Sequence, residues 1–391
     1  MRGLGVPILF VLVTSVGCGR AEPSQVVRTD SAGVQVVHSF GDPRDLPWAA
    51  DTIGVFGGDA DGSGSFYRVR RALIDVDDQG IVYVLDPSLF KVTAYTSEGV
   101  ALRSWGRQGQ GPGELQSPLS VAVDDDGNVL VHEASRGVLV RYAQAGEWID
   151  EQPAPPVMLL SLRHFEAVPE GLLLWDRDPF QGSDERLDKL LLRGPAGEEP
   201  LIRGRVSNSS TAHWPACGMT FTTPLPLSPR IRWSEREGRV GVAAWSDFRV
   251  DVYERSRFRR RLLVGASVPP LSEDAAVRLL EETGVQGPCN STASEFVERH
   301  GFHERPQMIQ ELTLGPEGRV WAEFRAEDGD TRIMVFDSSG AVLGVLPQAF
   351  PMPLSFLPDG RGVIQLVDSL DVERVGIIDV SDRHTSGTEG G

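Results

Sequence analysis

The stretch SWGRQGQGPGELQSPLSVAVDDDGNVLV, residues 104–131, decides the fold, because it is an edited copy of VFGGDADGSGSFYRVRRALIDVDDQGIVYV, residues 55–84. In both, an aromatic residue followed by Gly leads into a Gly-rich loop, an alternating apolar run, an Asp-rich turn ending in Gly, and a second apolar run. Alternation with period two reads as strand, and Gly supplies the positive φ of a tight hairpin. Each copy is therefore strand, loop, strand, hairpin, strand. Recurrence at this interval means arrayed units, none of which can bury its apolar face alone.

Working outward, the turn recurs at Asp77-Asp78-Gln79-Gly80, Asp124-Asp125-Asp126-Gly127, Pro169-Glu170-Gly171, Glu235-Arg236-Glu237-Gly238, Pro316-Glu317-Gly318 and Pro358-Asp359-Gly360. Six turns imply six units. A strand-like run follows each one, at 81–85, 128–132, 172–175, 239–243, 319–323 and 362–367. Several units then add a second hairpin, as in KVTAYTSEG (91–99), VLVRYAQAG (138–146), LLLRGPAG (190–197) and RIMVFDSSG (332–340). Two hairpins make four antiparallel strands, which is a propeller blade.

Turn glycines 80, 127 and 171, and then 318 and 360, lie about 45 residues apart, the spacing of four short strands and their turns. Polar segments at 207–227 and 265–306 stretch the middle. The second carries a helical pattern over 272–283, between blades four and five, with Ser272 as N-cap, Glu273 and Asp274 in the first turn and Gly284 as the stop. Neither segment is apolar enough to own a core. Both are read as insertions in one all-β domain, a six-bladed β-propeller over residues 26–380, followed by a disordered polar tail at 381–391.

The last unit lacks its outermost strand, and the missing piece stands at the other end of the chain. Thr29-Asp30-Ser31-Ala32-Gly33-Val34 looks like Phe336-Asp337-Ser338-Ser339-Gly340-Ala341, and residues 51–57 precede one Gly-rich loop as 100–106 precede the next. An N-terminal strand completing the C-terminal blade pairs exposed edges and holds the ring shut.

Residues 1–18 read as a leader, with Arg2, an apolar core at 6–13 too short to span a bilayer, and Gly17 before Cys18. Ser15-Val16-Gly17-Cys18 resembles a bacterial lipoprotein processing site, which implies that Cys18 is acylated and that 19–25 is a tether; Ser15 stands where that motif usually has an aliphatic residue. The alternative is an ordinary secretory peptide cleaved nearby. The expected location is the periplasm or outer membrane, held by a lipid anchor, or outside the cell.

The segment GRQGQGPGELQSPLSVAVDDDGNVLV (106–131) resembles the repeat of NHL-type six-bladed β-propellers. TDSAGVQVV (29–37), with the leader, resembles the exported six-bladed propellers of bacteria. The resemblance runs over nearly the whole mature chain and is strongest in units one and two. It implies the fold, while function must come from a site, since such propellers serve as scaffolds, hydrolases, lyases and sensors.

A net charge of −17 argues against a nucleic-acid partner, whose phosphates demand Lys and Arg. The one basic run, Arg255, Arg257, Arg259, Arg260 and Arg261, reads as a solvated outer strand. Leaving Cys18 aside, Cys217 and Cys289 are an even pair in an exported context, in connections expected on one face, and a disulfide between them is expected over two unrelated thiols.

Other motifs carry less. Asp59-Ala60-Asp61-Gly62-Ser63-Gly64 imitates the start of a calcium loop, but its twelfth position is Arg70, where a bidentate Glu is required, so a Gly-rich turn is the better reading and no cofactor is expected. Neither Gly-rich loop ends in the Gly-Lys-Ser/Thr of a nucleotide cradle. His300 and His303 are spaced to offer two imidazoles to a metal, with Glu298 and Glu304 near, yet Gly301 breaks the helix such a site uses. Glu133, after His132, and Asp86 and Asp176 at the matching places in units one and three, read as acids bonding backbone amides at strand ends. Trp105, Trp175, Trp245 and Trp321 read as packing between blades. No nucleophile elbow, ordered triad or catalytic Cys motif is visible.

The expectation is a monomeric binding scaffold at the envelope that engages a protein or small ligand through its insertion-bearing face. The competing reading is a metal-assisted hydrolase or lyase acting on a sugar, lactone or peptide at the tunnel mouth. Asp, Glu, Asn or His converging from three or more inner strands favours the second; an apolar tunnel favours the first.

Overall fold

The structure is a computed structural model that describes residues 25–57, 66, 69–154, 164–177, 185–195, 197–265, 270–284, 287–326 and 330–382. Six antiparallel sheets follow one another as blades, with inner strands Ile74–Val76, Pro118–Val123, Phe165–Val168, Arg232–Arg236, Ile309–Leu314 and Ser355–Phe356. The protein is a six-bladed β-propeller. Gly80, Gly127, Gly238, Gly318 and Gly360 all have φ between 74° and 92°, the left-handed region that the turn after each inner strand requires. Asp begins two of these turns for a visible reason. Asp77 Oδ1 accepts from the amides of Gln79 and Ile81, at 3.0 and 2.8 Å, and Asp124 Oδ1 does the same for Asp126 and Asn128.

The core is divided among the blade interfaces. One apolar cluster fills each: Tyr83 and Val131 between blades one and two, Leu130 and Phe165 between two and three, Leu190 and Trp233 between three and four, Phe248 and Phe336 between four and five, Trp321 and Ile378 between five and six, and Tyr95 and Ile377 between six and one. The clusters close a circle with no free end.

The N-terminal segment closes the ring, and it does more than the sequence suggested. Strand β1 (Gln25–Ser31) and strand β2 (Val34–Phe40) form a hairpin, and β2 pairs in parallel with the outer strand of blade four, Gln35 opposite Arg260 through Ser39 opposite Val264. The chain next crosses blade five, where Val345 N donates to Arg44 O and Leu46 N to Val345 O at 2.9 and 2.7 Å. Strand β3 (Trp48–Phe56) then completes blade six against Glu373–Asp382. Thus β3 is the missing strand, whereas the hairpin around residues 31–34 belongs to blade four, neither to the last blade nor to blade five, whose turn at 336–341 it resembles in sequence. For the same reason the strand Arg257–Val264 is not a free solvated edge. Arg257 and Arg259 are exposed, but β2 covers its outer side and Arg261 binds the buried Asp251 at 2.8 Å.

The insertions also differ from expectation. Helix α1 (Glu273–Glu282) is capped by Ser272 and ends before Gly284, as the sequence implied. A second helix, α2 (Ala293–His300), follows, opened by a capping box between Thr292 and Glu295. Neither insertion has a core alone, yet together they have one, in which Trp214 and Ala212 of the blade-three hairpin pack on Leu280, Phe296 and Val297 of the helices. Cys217 and Cys289 meet there as a disulfide, their Cα atoms 5.9 Å apart, within the span a disulfide needs. Among the described residues no helix is long and apolar enough to cross a membrane.

Candidate functional site

A cavity of about 470 Å³ lies on the ring axis, and all six inner strands contribute to its wall. Its face toward the insertions is marked by Arg71, in the short helical turn just before an inner strand; its other face is marked by the Asp-rich turns. Asp75, Glu166, Thr313 and Ser355, which line it, each stand five residues before their turn glycine. At that position blades one, three, five and six each place a polar side chain on the cavity wall. This regularity was visible in the sequence and was the signal that would have found the site.

Two arginines cross the axis. Arg71 of blade one donates from Nη2 to Thr313 Oγ1 of blade five, and Thr313 donates in turn to Pro353 O at 2.7 Å. At the turn end, Arg236 of blade four donates to Phe356 O and Leu357 O of blade six, at 2.9 and 3.3 Å. Neighbouring blades are tied beneath them: Asp75 Oδ2 accepts from Val123 N at 2.7 Å, and Ser234 Oγ from Leu314 N at 3.0 Å.

Between the arginines sits a group of perturbed acids. Burial pushes the Asp75 carboxyl up to about 7, against the pull of the Val123 amide, and nearby Glu166 adds to the rise. Burial also raises Glu166, with Arg71 opposing, and raises Glu235, with the Glu166 charge adding to it. His164 goes the other way: burial first, then the Arg71 charge, lowers its imidazole to about 3. Its Nε2 lies 2.6 Å from Glu166 Oε1, and its ring packs on Trp233 with centroids 4.8 Å apart. A neutral imidazole donating Nε2–H to Glu166 leaves Nδ1 as an acceptor. His164 Nδ1 and Glu166 Oε2 are both buried without a hydrogen-bond partner.

Of the residues singled out from the sequence, Cys18, Asp59 and Asp61 lie outside the described residues. His300 and His303 are not brought together: His300 is buried and stacked on Phe296 at 5.3 Å, while His303, beyond the α2 cap at Gly301, meets Arg305 O at 2.7 Å through Nδ1. Among the described residues no three His, Cys, Asp or Glu side chains are grouped to hold a metal ion. Glu133 and Asp86 bond amides at strand ends, Glu133 those of Gln116 and Ser117 at 2.8 and 2.9 Å, Asp86 that of Ser88 at 2.8 Å. The side chain of Asp176 lies outside the described residues. In the Gly-rich loop of blade two, Glu114 takes the Gly111 amide at 2.8 Å, so this amide is already occupied by the chain's own carboxylate.

No family model matches the chain, and no curated protein does either. Solved structures do. A protein of Bacteroides fragilis described as a "putative exported protein" is 12% identical, with 88% of this chain and 99% of that one covered and a TM-score of 0.51. A DUF4221 member from Bacteroides vulgatus is 10% identical over 86% and 99%, with a TM-score of 0.49. A virginiamycin B lyase of Staphylococcus aureus is 12% identical over 85% and 98%, at 0.38. At such identity the likeness shows the propeller fold and nothing further.

Proposed function

We propose that the protein acts through its axial channel, binding a small polar molecule there and exchanging a proton with it. The Glu166–His164 pair carries this reading. A carboxyl raised toward neutrality, hydrogen-bonded to an imidazole held neutral, can give or take a proton near pH 7, which general acid–base catalysis requires. Acids and His converge from three blades, through Asp75, Glu166 with His164, and Glu235, the pattern that distinguishes a reactive tunnel from a scaffold. In this role Glu166 is the acid–base group, His164 orients it, and Arg71 and Asp75 position the ligand. The reaction class is a lyase or hydrolase step. We further propose that the chain is an exported, NHL-type propeller, monomeric and anchored by acylation at Cys18.

A ligand screen by thermal shift on the mature chain tests the channel reading, because a bound ligand raises Tm in proportion to ln(1 + [L]/Kd). Shifts that vanish in Glu166→Gln support it. The second reading, a partner docked on the insertion face, is favoured by the insertions having a core and a disulfide of their own. Binding that survives Glu166→Gln and is lost on disrupting Phe296 would establish that reading instead.

A further inference from the structure

We propose that the channel takes a linear organic polycation, an alkyl polyamine in chemical class, whose ammonium groups bridge the chamber carboxyls and the acidic rim of the turn face. This rests on the channel reading and adds the charge and shape of the ligand.

Charge is the first argument. The cavity wall sets eight acidic side chains, those of Asp75, Glu166 and Glu235 among them, against two guanidiniums, those of Arg71 and Arg236. Neighbouring arginines do not make up the difference. Arg232 is 3.4 Å from Glu311, and Arg236 lies on the wall carbonyls and 3.3 Å from Glu237. Hydrogen bonding is the second argument and is independent. Glu166 Oε2 and His164 Nδ1 are both buried without a hydrogen-bond partner; with the carboxyl ionised and the imidazole proton on Nε2 both accept, and an ammonium offers three N–H donors and no acceptor.

Shape follows from spacing. The three carboxyls stand on blades one, three and four, and among the described residues no three of the kind converge on a point where one metal ion could sit. Spaced charges answer spaced carboxylates. At the turn mouth each hairpin contributes an exposed acid, Asp78, Asp126, Glu170, Glu237, Glu317 and Asp359, a ring generated by the repeat itself. Asp125 reports the resulting field: burial, then Asp124, Asp126, Glu170 and Asp78, raise its carboxyl. Such a rim concentrates cations and directs an extended one along the axis.

The test is calorimetry of the mature chain with spermidine at neutral pH and physiological salt, beside citrate and glucose as anionic and neutral probes. The expected result is one equivalent bound, with an enthalpy that changes with buffer as chamber carboxyls release protons. Glu166→Gln should weaken binding at least tenfold, about 1.4 kcal/mol, with its melt confirming the fold, and the rim double variant Glu317→Gln/Asp359→Asn should weaken it less and flatten its salt dependence. Spermidine binding in several equivalents, indifferent to Glu166→Gln, overturns the proposal as surface attraction. Citrate or glucose binding that requires Glu166, with spermidine inert, overturns the ligand class and leaves the channel reading standing. If nothing in the broader ligand screen depends on Glu166 either, both fall.

Discussion

Phe165 and Glu166 are neighbours on one inner strand, and they face two different environments. Phe165 is fully buried between blades two and three; Glu166 lines the axis. Ile74 and Asp75 repeat the contrast in blade one. On these two strands the flank that packs on the preceding blade is held to apolar residues by ring closure, while the side turned to the axis makes polar contacts and holds charge. Repetition therefore specifies the scaffold, and the departures from it on the axial side specify the chemistry. Removing pieces from each side is the way to test that division.

The largest effect should come from the belt. Deleting residues 25–57 strips the outer strand from blade six and the cover from blade four, and the melting temperature should fall by more than about 10 °C, since a loss of several kcal/mol moves a domain this far. Deleting only 25–40 keeps β3 and should cost less than half as much. Equal losses would show that the hairpin on blade four, rather than the closure strand, latches the ring.

Phe165→Ala comes next, at about 3–5 kcal/mol in urea titration, the cost of a large cavity in a core that cannot collapse. Its neighbour should behave oppositely. A carboxyl raised on folding stabilises fully below its unfolded pKa and loses that contribution as pH rises through its folded value, so Glu166 and Asp75 oppose the fold above neutrality. Glu166→Gln should be neutral near pH 5 and stabilising at pH 8. The buried histidines work in the other direction: His132, lowered to about 4 by burial, and His164 stabilise above about 6.5 and withdraw that support as pH falls below it. His132→Gln should flatten the acid side of the stability profile and leave the alkaline side alone. A Glu166→Gln variant less stable at pH 8 than wild type would show that the acid has a packing role after all.

How much of this could be read from the chain varies with the range of the interaction. Turn glycines 80 and 127, the Ser272 cap and the interchange of strand and hairpin are local, and the sequence displays them outright. The Thr292–Glu295 capping box is equally local and marks the start of α2, with Gly301 as its stop. The channel is legible in part, through the polar residue five places before a turn glycine. Arg71 is not. Its partner Thr313 is 242 residues away across the axis, and only the closed ring makes them neighbours. The belt was half legible for the same reason: an edge needs a strand, but sequence does not say which of the two N-terminal hairpin-like pieces reaches which blade. The shared core of the insertions, likewise, exists only because two segments that are each too polar to fold meet above the ring.

That shared core yields an intermediate effect. The Cys217–Cys289 bond closes a loop of 72 residues, and disulfides typically contribute about 2–4 kcal/mol. Here the contribution should be local. Cys217→Ser should lower the transition followed by proteolysis within α1 and α2 and leave the far-ultraviolet melt of the blades within a few degrees of wild type. Coincident transitions in both proteins would mean that the insertions and the ring fold as one unit.

The smallest effect on stability should come from the rim. Asp359 is exposed and bonds Arg361 at 2.6 Å beside the turn of blade six, a surface pair of the kind that contributes little. Asp359→Asn keeps an acceptor for the turn and removes one charge, so stability should stay within about 0.5 kcal/mol of wild type. Its value lies in the contrast with Phe165. If Asp359→Asn leaves the melt untouched yet reduces the salt dependence of ligand association, then the acids repeated around the turn face serve encounter and not folding. A rim substitution that destabilised the protein as much as a core one would erase the distinction between scaffold and axis on which the functional reading stands.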